Sequence, residues 1–240
     1  MPKFNEHPTA DRIKLLLLGD SGAGKTGLLS TVANAGYKIH ILDVDNNLAI
    51  MKSYLTPEGL PNVDYVSLPA KDPNTWKKAK ELLRKWEDGT NPTTWDTSHV
   101  LVIDSASFLA EAALVSFKEV AKDPRQGYYA AQDAVTMEMA RLTGPSFKCH
   151  LILTCHLRNI FDKIDEKWNR EPAFTGVQLP NEVPRYMNNT WAVVVKAGDK
   201  RIIRTQTNSS YSYLKSSAPE VLKAEEDFDL GALFKKIESR

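Results

Sequence analysis

From Ile13 to Asn34 the chain reads IKLLLLGDSGAGKTGLLSTVAN. An apolar run fit for a buried strand, Ile13–Leu18, stops at a glycine, and a helix-compatible stretch, Thr26–Asn34, begins a few residues later. Between them, Gly19-Asp20-Ser21-Gly22-Ala23-Gly24-Lys25-Thr26 fits G-x-x-x-x-G-K-[ST] at every fixed position. Glycines let the backbone curl so that several N–H groups converge on one anion. The helix that follows adds its own free N–H groups and the positive end of its dipole. The backbone is then the binding surface and a phosphate is its ligand. The candidate nucleotide-binding set is Gly19 to Thr26 together with Gly27. Lys25 is expected to reach the β- and γ-phosphates, and the Thr26 hydroxyl to hold Mg²⁺. The competing reading is a plain glycine turn, but a strand before and a helix after are the context the phosphate reading requires.

A chain of 240 residues makes one large domain, or one with a small appendage. Its formal charge of +1 supplies no global field toward nucleic acid or membrane, so any such binding needs a local patch. Cys149 and Cys155 lack C-x-x-C spacing and read as buried, reduced thiols, which points to the cytoplasm. The first residues, MPKFNEHPTADR, lack the apolar stretch of a signal peptide. No apolar run approaches the ~20 residues of a membrane span.

Residues 1–11 read as an arm. Further strands are expected at Tyr37–Asp43, Asp64–Leu68, Val100–Asp104 and Cys149–His156, and helices at Ala49–Leu55, Thr75–Trp86, Ser107–Lys122 and Tyr129–Leu142. The Gly-, Asn- and Pro-bearing stretch 87–98 reads as a loop. Alternation of strand and helix predicts an α/β fold, a mainly parallel sheet with helices on both faces. Beyond Leu157 the pattern turns polar, with shorter strands; "AGDK" between apolar runs, Ala197–Lys200, signals a β-hairpin. In the tail, 216–240, Leu230, Leu233, Phe234 and Ile237 share a helical face, expected to dock on the chain's own domain.

Acidic or polar residues at the ends of three strands complete the candidate site. Asp104 closes the apolar strand VLVID and is the candidate Mg²⁺ ligand beside Thr26; capping the next helix is the alternative. Strand Tyr37–Asp43 runs into Asp43-Val-Asp45-Asn-Asn, where Asp45, ahead of Asp43, is the candidate to polarise water. The same residues also make a good turn. "LILTCHLR" sets Thr154 and His156 at a strand's carboxyl end, where open α/β sheets bind ligands.

With these pieces in this order, residues 12–215 resemble the RecA-like P-loop ATPases, and within them the compact RecA-type single-strand annealing proteins of bacteriophages. The resemblance implies a RecA-like core that binds ATP and Mg²⁺, binds single-stranded DNA and promotes annealing or strand exchange in phage recombination. It implies a slow, DNA-stimulated ATPase in the host cytoplasm. It places the water-activating acid at Asp45, one methylene short of the usual Glu, and the γ-phosphate sensor at His156, where Gln is frequent. The segment after His156 becomes a DNA loop, Arg158–Tyr186, in which Arg158, Lys167, Trp168 and Arg170 are the candidate contacts beside Phe161, Phe174, Arg185 and Tyr186. Cations beside aromatics suit stacked bases and a tracked backbone. A second basic cluster, Lys196, Lys200, Arg201 and Arg204, offers further DNA contacts at Lys200 and Arg201. It also offers a cation, Arg204 or Arg201, reaching a neighbour's nucleotide. Expected partners are further copies in a head-to-tail ring or filament, and a single-strand binding protein. The rival readings are a small-molecule kinase, with Asp123–Tyr129 as its lid, and a regulatory or structural nucleotide-binding module.

Overall fold

The structure, a computed structural model, describes residues 11–87, 95–163 and 166–240. The arm expected over residues 1–11 lies outside them apart from its last residue, as do most of the loop expected over 87–98 and the side chain of Lys167.

The fold is α/β. In chain order the elements are β1 (Lys14–Gly19), α1 (Lys25–Asn34), β2 (Lys38–Asp43), β3 (Val63–Ser67), α2 (Thr75–Glu87), β4 (His99–Asp104), α3 (Ala106–Val120), α4 (Pro124–Thr143), β5 (His150–Asp162), β6 (Lys167–Pro172), α5 (Leu179–Tyr186), β7 (Asn189–Val195), β8 (Arg201–Arg204), β9 (Glu225–Asp227) and α6 (Leu230–Glu238). The sheet runs β3-β2-β4-β5-β1-β7-β8-β9, with β6 paired to β5. The strands from β3 across to β7 are mutually parallel, while β6, β8 and β9 pair antiparallel. β5, which carries His156, therefore lies between β1, the P-loop strand, and β4, the strand of Asp104.

Four consecutive leucines form β1 because both its faces are covered. Alternate side chains serve opposite layers. Leu16 and Leu18 join the core with α2, α3, α4 and α5; Leu15 and Leu17 join the core with α1 and α6. Cys149 and Cys155 are buried and free, and burial pushes each thiol up to about 12.

The tail is part of this second core. Leu230, Leu233, Phe234 and Ile237 are buried against α1. Gly231 brings the two helices into contact, since a Cβ there would stand 2.3 Å from the Thr31 carbonyl oxygen. Glu238 accepts from Tyr37 Oη at 2.6 Å and lies 3.1 Å from the buried His150 Nε2. Phe234 is fully buried, so Phe234→Ala is expected to cost about 3–5 kcal/mol. Urea unfolding checks this; a cost below about 1 kcal/mol would mean that α6 is not integral to the core.

Four expectations need correction. The helix expected over Ala49–Leu55 is a short 3₁₀ helix, Leu48–Ser53. The strand expected to end at His156 continues to Asp162 and turns back as β6. The DNA loop expected over Arg158–Tyr186 is thus a β-hairpin followed by α5. Arg185 and Tyr186 sit on that helix, and Phe174 is a core residue. The kinase lid read at Asp123–Tyr129 is the start of α4, with Asp123 as its cap accepting from Arg125 N at 2.8 Å.

Candidate functional site

The parallel strands bring their carboxyl ends to one edge. Gly19 pairs with His156 and Asp43 with Asp104, and since Ile103 pairs with Leu153, the two aspartates lie two residues short of the Gly19–His156 level on the same edge. The P-loop curls over that edge. Gly24, at φ 102°, opens α1 in a conformation that favours glycine. Gly27 packs closely under the Tyr54 ring, since a Cβ there would stand 2.9 Å from it and the ring would have to shift.

Lys25 is buried and donates to the carbonyl oxygens of Gly19 and Asp20 at 2.9 and 3.0 Å. Burial lowers its pKa, partly opposed by the acids around it, Asp104 first among them. The ammonium is thereby poised at the mouth of the loop by weak carbonyl acceptors that a polyphosphate can replace. Thr26 Oγ1 donates to Asp104 Oδ2 at 2.8 Å, and the Thr154 hydroxyl donates to Asp104 Oδ1. Burial pushes the Asp104 carboxyl up, and the two threonine hydroxyls draw it partly back. A buried carboxylate beside a hydroxyl offers hard oxygen ligands and favours a cation. This fits Mg²⁺, which takes one or two protein oxygens and fills the rest of its shell with phosphate and water. Among the described residues there is no cluster of three or more His, Cys, Asp or Glu placed to hold a metal.

Beyond the phosphate cradle, Asp45 Oδ1 accepts from Ser105 N at 2.9 Å and Ser105 Oγ at 2.6 Å. Its Oδ2 faces His156 Nε2 at 3.4 Å, while His156 Nδ1 lies 3.4 Å from Lys25 Nζ. Since an ammonium only donates, Nδ1 is the acceptor and Nε2–H points to Asp45. Burial pushes the Asp45 carboxyl up, but the bonds from His156 and Ser105 outweigh it and hold the group below its usual range. Asp43 is held by other partners, though its charge is near enough to push the Asp104 carboxyl up. It accepts from Asn46 N and Ser67 Oγ, both at 2.8 Å, which is the turn reading of the same sequence. Lys25, Thr26, Asp45, Asp104, Thr154 and His156 are thus brought together.

The candidate DNA and neighbour-reaching residues divide differently. Phe161 and Trp168 face each other near the end of the β5–β6 hairpin, ring centroids 5.3 Å apart, and Trp168 is 67% exposed. Arg158 is paired with Glu171 at 2.5 Å, and Arg170 reaches back to Asp20 on the P-loop. Lys200 is exposed in the β7–β8 turn. Arg201 lies against its own P-loop, its Cδ 3.2 Å from where a Gly24 Cβ would stand, with Phe228 alongside. Arg204 is paired with Glu225 of its own chain at 2.5 Å.

Sequence reasoning missed Ser105, which holds Asp45, and Ser107, whose hydroxyl accepts from His156 N at 3.1 Å. The small polar residues in "IDSAS", Ser105 and Ser107, were the available signal. It missed Arg201 and Phe228 beside Gly24 and the Arg170–Asp20 pair, for which no local signal exists.

A mainly parallel sheet with a P-loop at its carboxyl edge, its lysine buried in the cradle and an acid on the next strand but one, defines a P-loop NTPase of the nucleotide-binding kind. Within that class, a family model described as an AAA domain matches residues 11–212, and the chain belongs to that family. No curated protein sequence matches it. Among the described residues no helix is long and apolar enough to cross a membrane.

Proposed function

We propose that this chain is a RecA-like ATPase that binds ATP with Mg²⁺, binds single-stranded DNA through the β5–β6 hairpin, and promotes annealing or strand exchange in phage recombination. The observation that carries the nucleotide part is the joint placement of Lys25, Thr26 and Asp104 around the P-loop. Mg²⁺ held by Thr26 and Asp104 would neutralise charge on the β- and γ-phosphates. Lys25 would bind the phosphates, and Asp45, oriented by Ser105 and His156, would align a water.

The DNA part is supported by one feature above others. The strand that carries His156 continues into a hairpin with exposed Phe161 and Trp168, aromatic platforms on which bases of any sequence stack. Partners would then be single-stranded DNA and other copies of the chain in a head-to-tail arrangement, with a single-strand binding protein at the same substrate. With Arg204 and Arg201 engaged in their own subunit, Lys200 is the more accessible cation of the β7–β8 hairpin for a neighbour or a strand.

The test is binding of labelled single-stranded and duplex DNA, with and without ATP and Mg²⁺, across a salt series. Single strands are expected to bind better than duplex, more tightly with nucleotide, and with affinity that falls as salt rises because phosphate contacts release counterions. Absence of binding in every nucleotide state would remove the recombination reading and leave a nucleotide-binding module with another partner.

A further inference from the structure

Asp20 and Arg170 lie 150 residues apart and hold each other. Asp20 is the second residue of the P-loop, and its exposed carboxylate accepts from Arg170 Nη2. The other guanidinium nitrogen, Nη1, donates to Tyr211 Oη at 2.6 Å, and the guanidinium carbon sits 5.4 Å from the Tyr211 ring centroid. Tyr211 is buried, so one side of the guanidinium is anchored to the core and the other reaches the phosphate loop. Arg170 belongs to β6, opposite Asn159 on β5. Trp168 is two residues earlier and therefore on the same face of the strand. Asn159, Trp168, Arg170 and Ser210 line one cavity of about 440 Å³. A single side chain thus touches the P-loop and shares a surface with the exposed indole of the hairpin.

We propose that Arg170 is a positioning residue that couples the P-loop to the β5–β6 hairpin, so that nucleotide and single-stranded DNA alter each other's affinity through the Asp20–Arg170 contact. The inference rests on the nucleotide and DNA readings above and adds the connection between them. As a stabilising device, an exposed ion pair of this kind contributes little. As a coupling element it is well placed. A polyphosphate in the cradle brings negative charge beside the Asp20 carboxylate, and the two anions then compete for one guanidinium. The planar fork of arginine serves two acceptors at fixed angles, so a change of partner on one side turns the group against its Tyr211 anchor. That strain is delivered to β6, two residues from Trp168. A strand phosphate drawn to the same guanidinium acts in the reverse sense, releasing Asp20 and altering the loop. Linkage requires the two effects to be equal.

Trp168 is a built-in reporter. Trp76, Trp95 and Trp191 are buried and Trp86 is partly buried, so quenching of tryptophan emission by acrylamide reports chiefly on Trp168, with Trp168→Phe as the blank. The experiment uses the full chain with Mg²⁺ and a slowly hydrolysed ATP analogue; nucleotide affinity is read separately by displacement of a fluorescent nucleotide. The wild type is expected to change its Trp168 quenching on binding nucleotide, and nucleotide is expected to shift affinity for oligo-dT about fivefold, with oligo-dT shifting nucleotide affinity by the same factor. In Asp20→Asn and Arg170→Ala both responses should fall to none, and the double variant should be no worse than either. Arg170→Lys should fail to rescue, because an ammonium cannot serve Tyr211 and Asp20 in the same geometry. Tyr211→Phe, which leaves the P-loop untouched, should weaken the coupling by loosening the anchor. Bound nucleotide with an unresponsive Trp168, or undiminished coupling in the variants, would overturn the inference alone. Failure of the wild type to bind nucleotide would overturn the nucleotide reading and this inference with it.

Discussion

Lys25→Ala is expected to lower nucleotide affinity by about 3–4 kcal/mol, roughly 10²–10³-fold, while the melting temperature of the free protein stays near that of the wild type. Without nucleotide, the ammonium is buried and held by the Gly19 and Asp20 carbonyls, with His156 Nδ1 at 3.4 Å, and desolvation already lowers its pKa. Removing a charge in that position takes away a desolvation cost along with these hydrogen bonds. Alanine is also the best helix former, and position 25 is the first residue of α1. In the complex the balance reverses, since the same ammonium would meet the β- and γ-phosphates in a cradle shielded from water. The loss should therefore appear in binding and not in folding. Isothermal titration with ATP and Mg²⁺, beside thermal unfolding of the free protein, separates the two. Unchanged affinity in the variant would remove the P-loop assignment, and a collapse of the melting temperature would show the lysine to be structural.

The phosphate cradle was legible because its chemistry is backbone chemistry. Glycines at fixed spacing, then lysine and threonine, have no other common reason to stand between a buried strand and a helix. Asp104 was legible for a related reason. A strand covered on both faces must be apolar throughout, so the acid that ends Val100–Ile103 marks the sheet's carboxyl edge. Legibility failed where a strand leaves that covered environment. Beyond His156, β5 runs on as LRNIFD with partly exposed sides, and the hydrophobic pattern that announces a buried strand disappears although the ladder with β6 continues. Helix α5 was hidden by Pro180 and Pro184; the first sits at a helix start, where no donor is needed, and the second in the last turn. Contacts such as Asp20 with Arg170, or Gly24 with Arg201 and Phe228, join segments far apart in the chain. They follow from the neighbours of β1 in the sheet, β5 on one side and β7 on the other, and no local period encodes that order.

Asp45→Asn is expected to reduce ATP turnover by about 10²–10⁴-fold with nucleotide affinity nearly unchanged, as for loss of a general base. Asparagine keeps the shape and its carbonyl oxygen still accepts from Ser105 N and Oγ, so the loop after β2 should hold. It loses the negative charge that faces His156 Nε2 and that, on the proposed function, would align a water. Lys25, Thr26 and Asp104 supply the ground-state contacts of the proposed complex; Asp104 meets Asp45 only through the backbone, its carbonyl accepting from Asp45 N at 3.2 Å, a bond that asparagine keeps, so binding should be spared. The geometry also bears on the absolute rate. The hydrogen bonds that orient Asp45 also hold its carboxyl below the usual range, against the upward push of burial, and a more acidic carboxyl is a weaker base. Slow turnover in the wild type is the expected consequence, arising from electrostatics as well as from the side chain's short reach. The same shift fixes the pH behaviour. A carboxylate depressed below 3.8 is fully ionised above about pH 5, so its contribution to folding is lost only as pH falls through that depressed value. Between pH 6 and 8 Asp45 should impose no slope on turnover, and a slope measured there must belong to another group. Steady-state ATPase assays of wild type and Asp45→Asn over that range, with affinity measured in parallel, decide the matter. Turnover within tenfold of the wild type would move water activation away from Asp45, and a matching loss of affinity would make Asp45 a binding residue.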